Sequence, residues 1–410
     1  MRLSSLDGVY PEGSFLAPRL RLTDAKWMPS DLHTIEFMSG NLIACAGDFP
    51  MLVHKAAMSP DGLGIMADCG VEVGTAIEVY DSPQHYDSMV RRRIENGEKA
   101  AFVYPEEAMH LDNGASLIDT KCLEYLNNKD HIEALAGAQN VPGRRTIRIN
   151  GGIASQSFGL PIVLKIATDE PNAGGLDVAV CRKNRQLARA IERFSGAEKL
   201  IAEDYIDAVQ NWCIQFVVLP DGAVKDFGAS QQVCMRNGLH AGNLLTFGEE
   251  PPANTVRVGR AIAQEGSRLG YCGVCGFDFL IDRRGKGLVI DLNFRPVSST
   301  AFVIEAIRRR NPSGEPRHAR LAFCTAKEAL PRMIQLCRDG FDEGWLIPLA
   351  TFDPHYGDLE PGPARLRLMI LAHDLKTLRK REQRLASRGI DFFPLHGGWE
   401  AFKQRFAGLI

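Results

Sequence analysis

The chain has 410 residues, and its 48 lysines and arginines nearly cancel 50 aspartates and glutamates, leaving a formal net charge of −2 at pH 7. That length accommodates about two to three domains and a substantial buried core, which excludes a small stapled scaffold. The near-neutral balance excludes a global field aimed at nucleic acid or an anionic membrane, so any partner is recognised locally. No apolar stretch approaches bilayer length and the opening MRLSSLDGVYPEG lacks an apolar signal core, so a cytoplasmic protein is expected. The ten cysteines follow no regular spacing, which fits a reducing compartment. Cys272 and Cys275 form the one close pair; no second pair or matching histidines follow, so they read as ordinary buried thiols rather than zinc ligands.

Residues 1–125 mix short apolar strands, NLIACAG and KAAFVYP, with a helical stretch, DSMVRRRIENG, and predict a small α/β unit. The piece YLNNKDHIEALAGAQNVPGRR predicts a helix ending near Gly137 and a turn at Pro142 and Gly143. A strand, LPIVLKIA, follows. The Gly-rich loop TDEPNAGGLDVAVC then leads into a helix, RKNRQLARAIERF, and a strand, KLIAEDYI. NWCIQFVVLPDGAVKDFGAS is two apolar runs around Asp221 and Gly222, the strongest hairpin signal in the chain. A helix, TVRVGRAIAQEGSRLG, precedes a second hairpin, CGFDFLIDRRGKGLVIDLNFRP; beyond about residue 330 come a strand, RLRLMILA, and a basic helix, DLKTLRKREQRLASRG.

The second hairpin carries the chemistry. In VIDLNFRP, alternation at a period of two sends Asp291, Asn293 and Arg295 to one face and Leu292 and Phe294 to the other. Asp278, on the first strand, is expected near Asp291 across the hairpin. Two carboxylates and an amide oxygen form a hard, all-oxygen donor set suited to Mg²⁺, and an arginine beside them suits phosphate or carboxylate. A solvated strand edge is the competing reading. Upstream, Lys165 sits within an apolar strand, where an ammonium needs an anion. The loop 169–178, with Gly174 and Gly175, can bring backbone N–H groups to phosphate oxygens. No segment fits a Walker loop. IVLK and KDFG imitate kinase motifs, but the Gly-rich loop follows the lysine and no catalytic loop precedes Asp226.

Taken in order, the lysine in NNKD, the strand lysine in VLKIA, the Gly-rich flap, the acidic strand LIAEDYID and the paired acidic strands ending in DLNFR resemble the ATP-grasp superfamily over about residues 120–300. The flanks are most similar to peptide and amide ligases of natural-product pathways, including antibiotic biosynthesis and the pheganomycin type. The resemblance implies an α/β (α+β) ATP-grasp fold whose two α+β subdomains sandwich ATP. A pre-ATP-grasp domain would span 1–125, the small flap subdomain 126–210, the large subdomain with the metal site 211–330, and a C-terminal α/β segment 331–410. Lys129 and Lys165 would hold the phosphates under the flap, although a solvated helix lysine is an equal reading of Lys129. Glu203 and the backbone of Ile206 would meet adenine and Asp207 the ribose, unless these acids simply face solvent. Asp278, Asp291 and Asn293 would hold two Mg²⁺ ions, with Mn²⁺ as a substitute. Arg295 would face the transferred phosphoryl group, and Arg236 would lie near the reacting carboxylate. His240 reads as a hydrogen-bonded loop histidine.

The implied activity is an ATP-dependent carboxylate–amine ligase that forms an amide through an acyl phosphate and releases ADP and phosphate. Its substrates would be a small-molecule carboxylate and an amine, amino acids or a peptide among them, with a homodimer compatible. Alternatives are delivery of the acyl group to a carrier-protein thiol, docked at KTLRKREQR, and a phosphotransferase or nucleotide-binding regulator.

Overall fold

The computed structural model describes residues 4–20, 26–27, 31–104, 114–149, 158–172, 175–235, 239–310 and 315–392. Its strands form three sheets that follow one another along the chain.

The first region alternates strands and helices: β1 (Ser14–Ala17), α1 (Leu32–Ser39), β2 (Met51–His54), α2 (Pro60–Asp68), β3 (Ile77–Tyr80), α3 (Pro83–Glu95) and β4 (Lys99–Phe102). The strands pair parallel in the order β3-β2-β1-β4, as expected when each crossover contains a helix. Asp31, Ser59 and Ser82 each accept a backbone N–H at a helix start, fixing where α1, α2 and α3 begin. The segment NLIACAG, expected as a strand, is instead a chain of turns in which Ile43 N donates to Gly40 O and Cys45 N to Leu42 O. Its apolar residues reflect burial in the core rather than extension; Leu42 through Ala46 are all buried.

After α4 (Thr120–Asn127) and the short α5 (Ile132–Ala136), the helical stretch ends at Gly137, whose φ of 83° favours a residue without a Cβ. The expected continuous helix is broken at Asn128, which takes an extended conformation and caps the following turn through its side chain. The second sheet is antiparallel, with order β5-β8-β6-β7, built from β5 (Arg144–Arg148), β6 (Ile162–Ala167), β7 (Val178–Cys181) and β8 (Lys199–Asp204). Helix α6 (Asn184–Arg193) joins β7 to β8. The end of the expected Gly-rich loop is therefore strand, because VAVC pairs with the lysine strand β6.

The third sheet has eight strands: β9 (Ala208–Val218), β10 (Val224–Cys234), β11 (His240–Thr246), β12 (Gly273–Asp282), β13 (Gly287–Asn293), β14 (His318–Ala326), β15 (Leu346–Phe352) and β16 (Ala364–Ala372). All neighbours are antiparallel, in the order β13-β12-β9-β10-β11-β14-β16-β15, so the last part of the chain extends the sheet of the two expected hairpins. Helices α7 (Ala253–Arg268), α8 (Thr300–Arg308), α9 (Leu330–Asp342) and α10 (Leu375–Ser387) cover it. Among the described residues no helix is long and apolar enough to cross a membrane.

Helix α7 backs the strands that carry the acidic residues, packing Ile262 and Ala263 into one cluster with Phe216, Phe277 and Phe294. Gly266 lets this helix approach closely, since a Cβ there would collide with the Phe294 ring. Overpacking of this kind costs roughly 1–3 kcal/mol. Gly64, on α2, faces open space, with no atom within 4 Å of where a Cβ would stand, and carries no such constraint. Urea unfolding is expected to show Gly266→Ala destabilised by about that amount and Gly64→Ala unchanged or stabilised by up to about 1 kcal/mol.

Candidate active site

The second sheet and the β9–β13 half of the third enclose a cavity of about 830 Å³ that continues to α1 and β16. At one end, Val163 and Val180 of the second sheet and Leu280 and Ile290 of the third supply apolar walls to a slot edged by the segment Asp204 to Ile206. Next to the slot lie the charged side chains of β12 and β13.

Asp278 and Asp291 stand directly opposite each other, as the hairpin reading expects. The register shifts immediately beyond them: Phe279 pairs with Val289, so Ile290 is an extra residue on β13. This bulge lets Ile290 and Asp291 both line the cavity, where strict alternation would send them to opposite faces. Asn293 and Arg295 line it too, while Leu292 and Phe294 are buried in the core behind. Burial and the charge of Asp291 push the Asp278 carboxyl well above the usual range. Burial acts on Asp291 as well, but Lys129, Lys165 and Arg295 outweigh it and hold that carboxylate below its ordinary value.

Lys129 is buried, not a solvated helix residue. Its ammonium lies 2.9 Å from Asp177 and 3.0 Å from Asp291 and donates to Asn172 Oδ1 at 3.2 Å. Burial alone would lower its pKa, yet the two carboxylates raise it, so Lys129 stays charged. Lys165 is likewise buried, 2.6 Å from Glu203 and donating to the bulged carbonyl of Ile290 at 2.6 Å. Glu203 also lies 3.5 Å from Arg144, whose other nitrogen donates to the Lys129 carbonyl. The two lysines, one from each flank, thus converge on the acidic hairpin.

Four expected positions stand differently or lie outside the described residues. Glu203 lines the cavity but is buried rather than solvent-facing; its carboxylate answers the Lys165 ammonium because neither could be buried alone. Asp207 turns away from the cavity and pairs at the surface with Arg283 at 2.8 Å, leaving Ile206 and its neighbours as the cavity edge. Arg236 and Gly174 lie outside the described residues. Gly175 lines the cavity with φ at 78°, a left-handed conformation suited to glycine. His240 hydrogen-bonds Asn243 at 3.0 Å, and burial pushes its pKa down to about 4.

Sequence reasoning missed Asp177, Asn172 and Asn127. Asn127 Oδ1 accepts from the Phe294 backbone N–H at 3.0 Å and from Arg295 at 3.1 Å, anchoring the end of β13 to α4. The Asn172 carbonyl accepts from Arg295 at 3.3 Å, and Asn128 donates to Asp169 at 2.6 Å, so the loop after β6 is fastened to the basic groups it faces. The flap carboxylate of Asp169 thus makes its contact within the protein. Asp177 stands with one residue between it and the Gly174–Gly175 pair and just before the apolar run VAVC, the one signal that could have marked it.

The residues present fit a hard divalent cation. Asp278 Oδ1 is buried without a hydrogen-bond partner, Asp291 stands opposite it, and Asn293 lines the same cavity. Among the described residues no three His, Cys, Asp or Glu side chains are grouped as a metal site, so further ligands would come from a bound phosphate or water.

Two family models match the chain. One, described as L-aspartate–L-methionine ligase, ATP grasp, matches residues 142–293; the other, described as L-aspartate–L-methionine ligase N-terminal domain, matches residues 5–124. Among solved structures, an ADP complex of N5-carboxyaminoimidazole ribonucleotide synthetase is similar at 14% identity and a TM-score of 0.56, covering 85% of this chain and 93% of that one. The Staphylococcus aureus N5-carboxyaminoimidazole synthetase with ADP is similar at 11% identity and a TM-score of 0.55, over 94% and 99%. An L-amino acid ligase from Bacillus licheniformis follows at 13% identity and a TM-score of 0.51, over 93% and 98%. At these identities the likeness is one of fold.

The Lys165–Glu203 pair makes its own prediction. Removing one member of a buried pair leaves an uncompensated charge, at roughly 3–5 kcal/mol. Lys165→Met is therefore expected to lose about that much stability in urea unfolding, despite its apolar fit. Combining it with Glu203→Gln is expected to recover most of the loss.

Proposed function

The chain belongs to the ATP-grasp carboxylate–amine ligases, and on that footing we propose that it joins a carboxyl group of L-aspartate to the amino group of L-methionine. The observation that carries the substrate reading is that both models bear this description and together take in the nucleotide end of the cavity, through Asn293, and the region that precedes it.

In this reading adenine occupies the apolar slot between Val163, Val180, Leu280 and Ile290, with the backbone at Ile206 along its edge. Lys129 and Lys165 hold the phosphates, and the loop that includes Gly175 closes over them. Arg236 and Gly174 join this assignment on sequence grounds. Asp278, Asp291 and Asn293 would hold Mg²⁺, two ions in all, which when bound neutralise phosphate charge and orient the nucleotide. A carboxylate is a poor acyl donor, since its anion repels nucleophiles and would have to expel oxide. Its oxygen therefore attacks the γ-phosphorus, ADP leaves, and an acyl phosphate forms. Lys129, Lys165 and Arg295 offset the charge that develops in transfer. The amine nitrogen, as the free base, then attacks the acyl carbon; phosphate departs with the bonding pair and carries off the proton that nitrogen gives up, and the amide remains. The loop over the phosphates excludes water, which would otherwise consume the acyl phosphate.

Purified protein given ATP, Mg²⁺, L-aspartate and L-methionine is expected to release ADP and phosphate in step with a dipeptide found by mass spectrometry. Release of AMP and pyrophosphate, or turnover indifferent to either amino acid, would overturn the reading. Asp291→Asn keeps the shape but removes one negative charge facing the cations, and is expected to lower turnover by at least roughly 100-fold, about 2.7 kcal/mol of barrier. Circular dichroism should show the fold retained. Asp226→Asn, which breaks only the exposed pair with Arg260, should change activity little.

A further inference from the structure

The cavity's far end is lined by Phe37, Met38 and Leu42 from the α1 region and by Phe323, Arg365 and Arg367 from β14 and β16. The two arginines share a face of β16, because Leu366 and Leu368 point into the core on the other. Their charges are treated differently. Arg365 lies 3.0 Å from Asp31 and donates to the Thr34 hydroxyl at 2.5 Å. Arg367 is only 5% exposed, and among the described residues no carboxylate pairs with it. One nitrogen donates to the Ser298 carbonyl at 3.0 Å, Nε is buried without a partner, and the guanidinium lies 5.8 Å and 4.9 Å from the ring centres of Phe37 and Phe323. Burial alone pushes its pKa down to about 9.

A buried guanidinium without a counter-charge is expensive, and its planar fork matches a carboxylate. Position narrows which one. Ser298 is three residues beyond Arg295, so Arg367 contacts a chain segment that starts within ~10 Å of the arginine beside the acidic hairpin. A carboxylate undergoing phosphorylation belongs near Arg295 and the lysines. The group at Arg367 is then a second carboxylate, and the apolar walls beside it suit an apolar side chain.

We propose that Arg367 receives the α-carboxylate of the amine-bearing amino acid, whose side chain rests against Phe37, Met38 and Phe323. This rests on the ligase reading above, in which that amino acid is methionine.

The test compares L-methionine with L-methioninamide as the amine in the wild type, Arg367→Gln and Arg367→Lys. Wild-type kcat/KM is expected to favour the acid by roughly 10- to 100-fold, the range of a charge-assisted contact. Arg367→Gln should erase that ratio through the KM of methionine, leaving the KM of ATP and aspartate in place, and Arg367→Lys should restore part of it. The proposal falls if the wild type accepts acid and amide equally, if Arg367→Gln lowers both in proportion, or if the loss falls on the KM of aspartate. The wild-type ratio decides alone should Arg367→Gln not fold. If another amino acid proves to be the amine, that acid and its amide replace methionine. Absence of amino-acid-dependent ATP turnover overturns the ligase reading along with this one, whereas turnover with an unchanged ratio overturns only the role of Arg367.

Discussion

Charge taken out of water must be answered by opposite charge, and that requirement knits the candidate site together. Lys165 on β6 satisfies Glu203 on β8 and reaches across to a carbonyl of β13. Lys129, between α4 and α5, bridges Asp177 before β7 and Asp291 on β13. Each lysine spans two sheets or a sheet and its preceding helix. Neither the second sheet nor the acidic hairpin carries this network alone, so the cavity between them is held at both walls by buried ion pairs.

The bulge at Ile290 makes one of those links available. An unbroken ladder would alternate the Ile290 side chain to the core, away from the face that Asp291 presents to the cavity. With one extra residue, the carbonyl accepts from Lys165 and the side chain faces the cavity beside Asp291. Behind the strand, Phe294 is clamped by a glycine of α7 and by the Asn127 side chain. Asn293 and Arg295 therefore project from a backbone fixed on its other face, which is how phosphoryl transfer by positioning and electrostatics demands its groups be held.

Extension of the third sheet by β14 to β16 gives the cavity a second end. Among the described residues no acid pairs with Arg367 there, while Arg365, two residues earlier, is neutralised by Asp31. The contrast separates an arginine that fastens the first region to the sheet from one that presents charge to the cavity.

The hairpin around Asp278 and Asp291, its alternating face, the strand lysine and the glycine flap were legible in the sequence, because each is a local pattern of period two or a turn signal. The direct opposition of the two carboxylates was expected and is seen. What local pattern cannot register is partnership. Lys129 read equally as a solvated lysine, and only its burial between Asp177 and Asp291 decides otherwise. Glu203 and Asp207 lie four residues apart with the same chemistry, yet one is sealed against Lys165 and the other paired with Arg283 at the surface. NLIACAG carried a strand's composition and folded as buried turns, since apolar content reports burial before it reports extension. The acidic hairpin and the family resemblance are written in neighbouring residues and can be read without a fold. Which charges are answered within the protein and which, like that of Arg367, face the cavity emerges only once the chain is packed, because the groups that answer them come from distant parts of it.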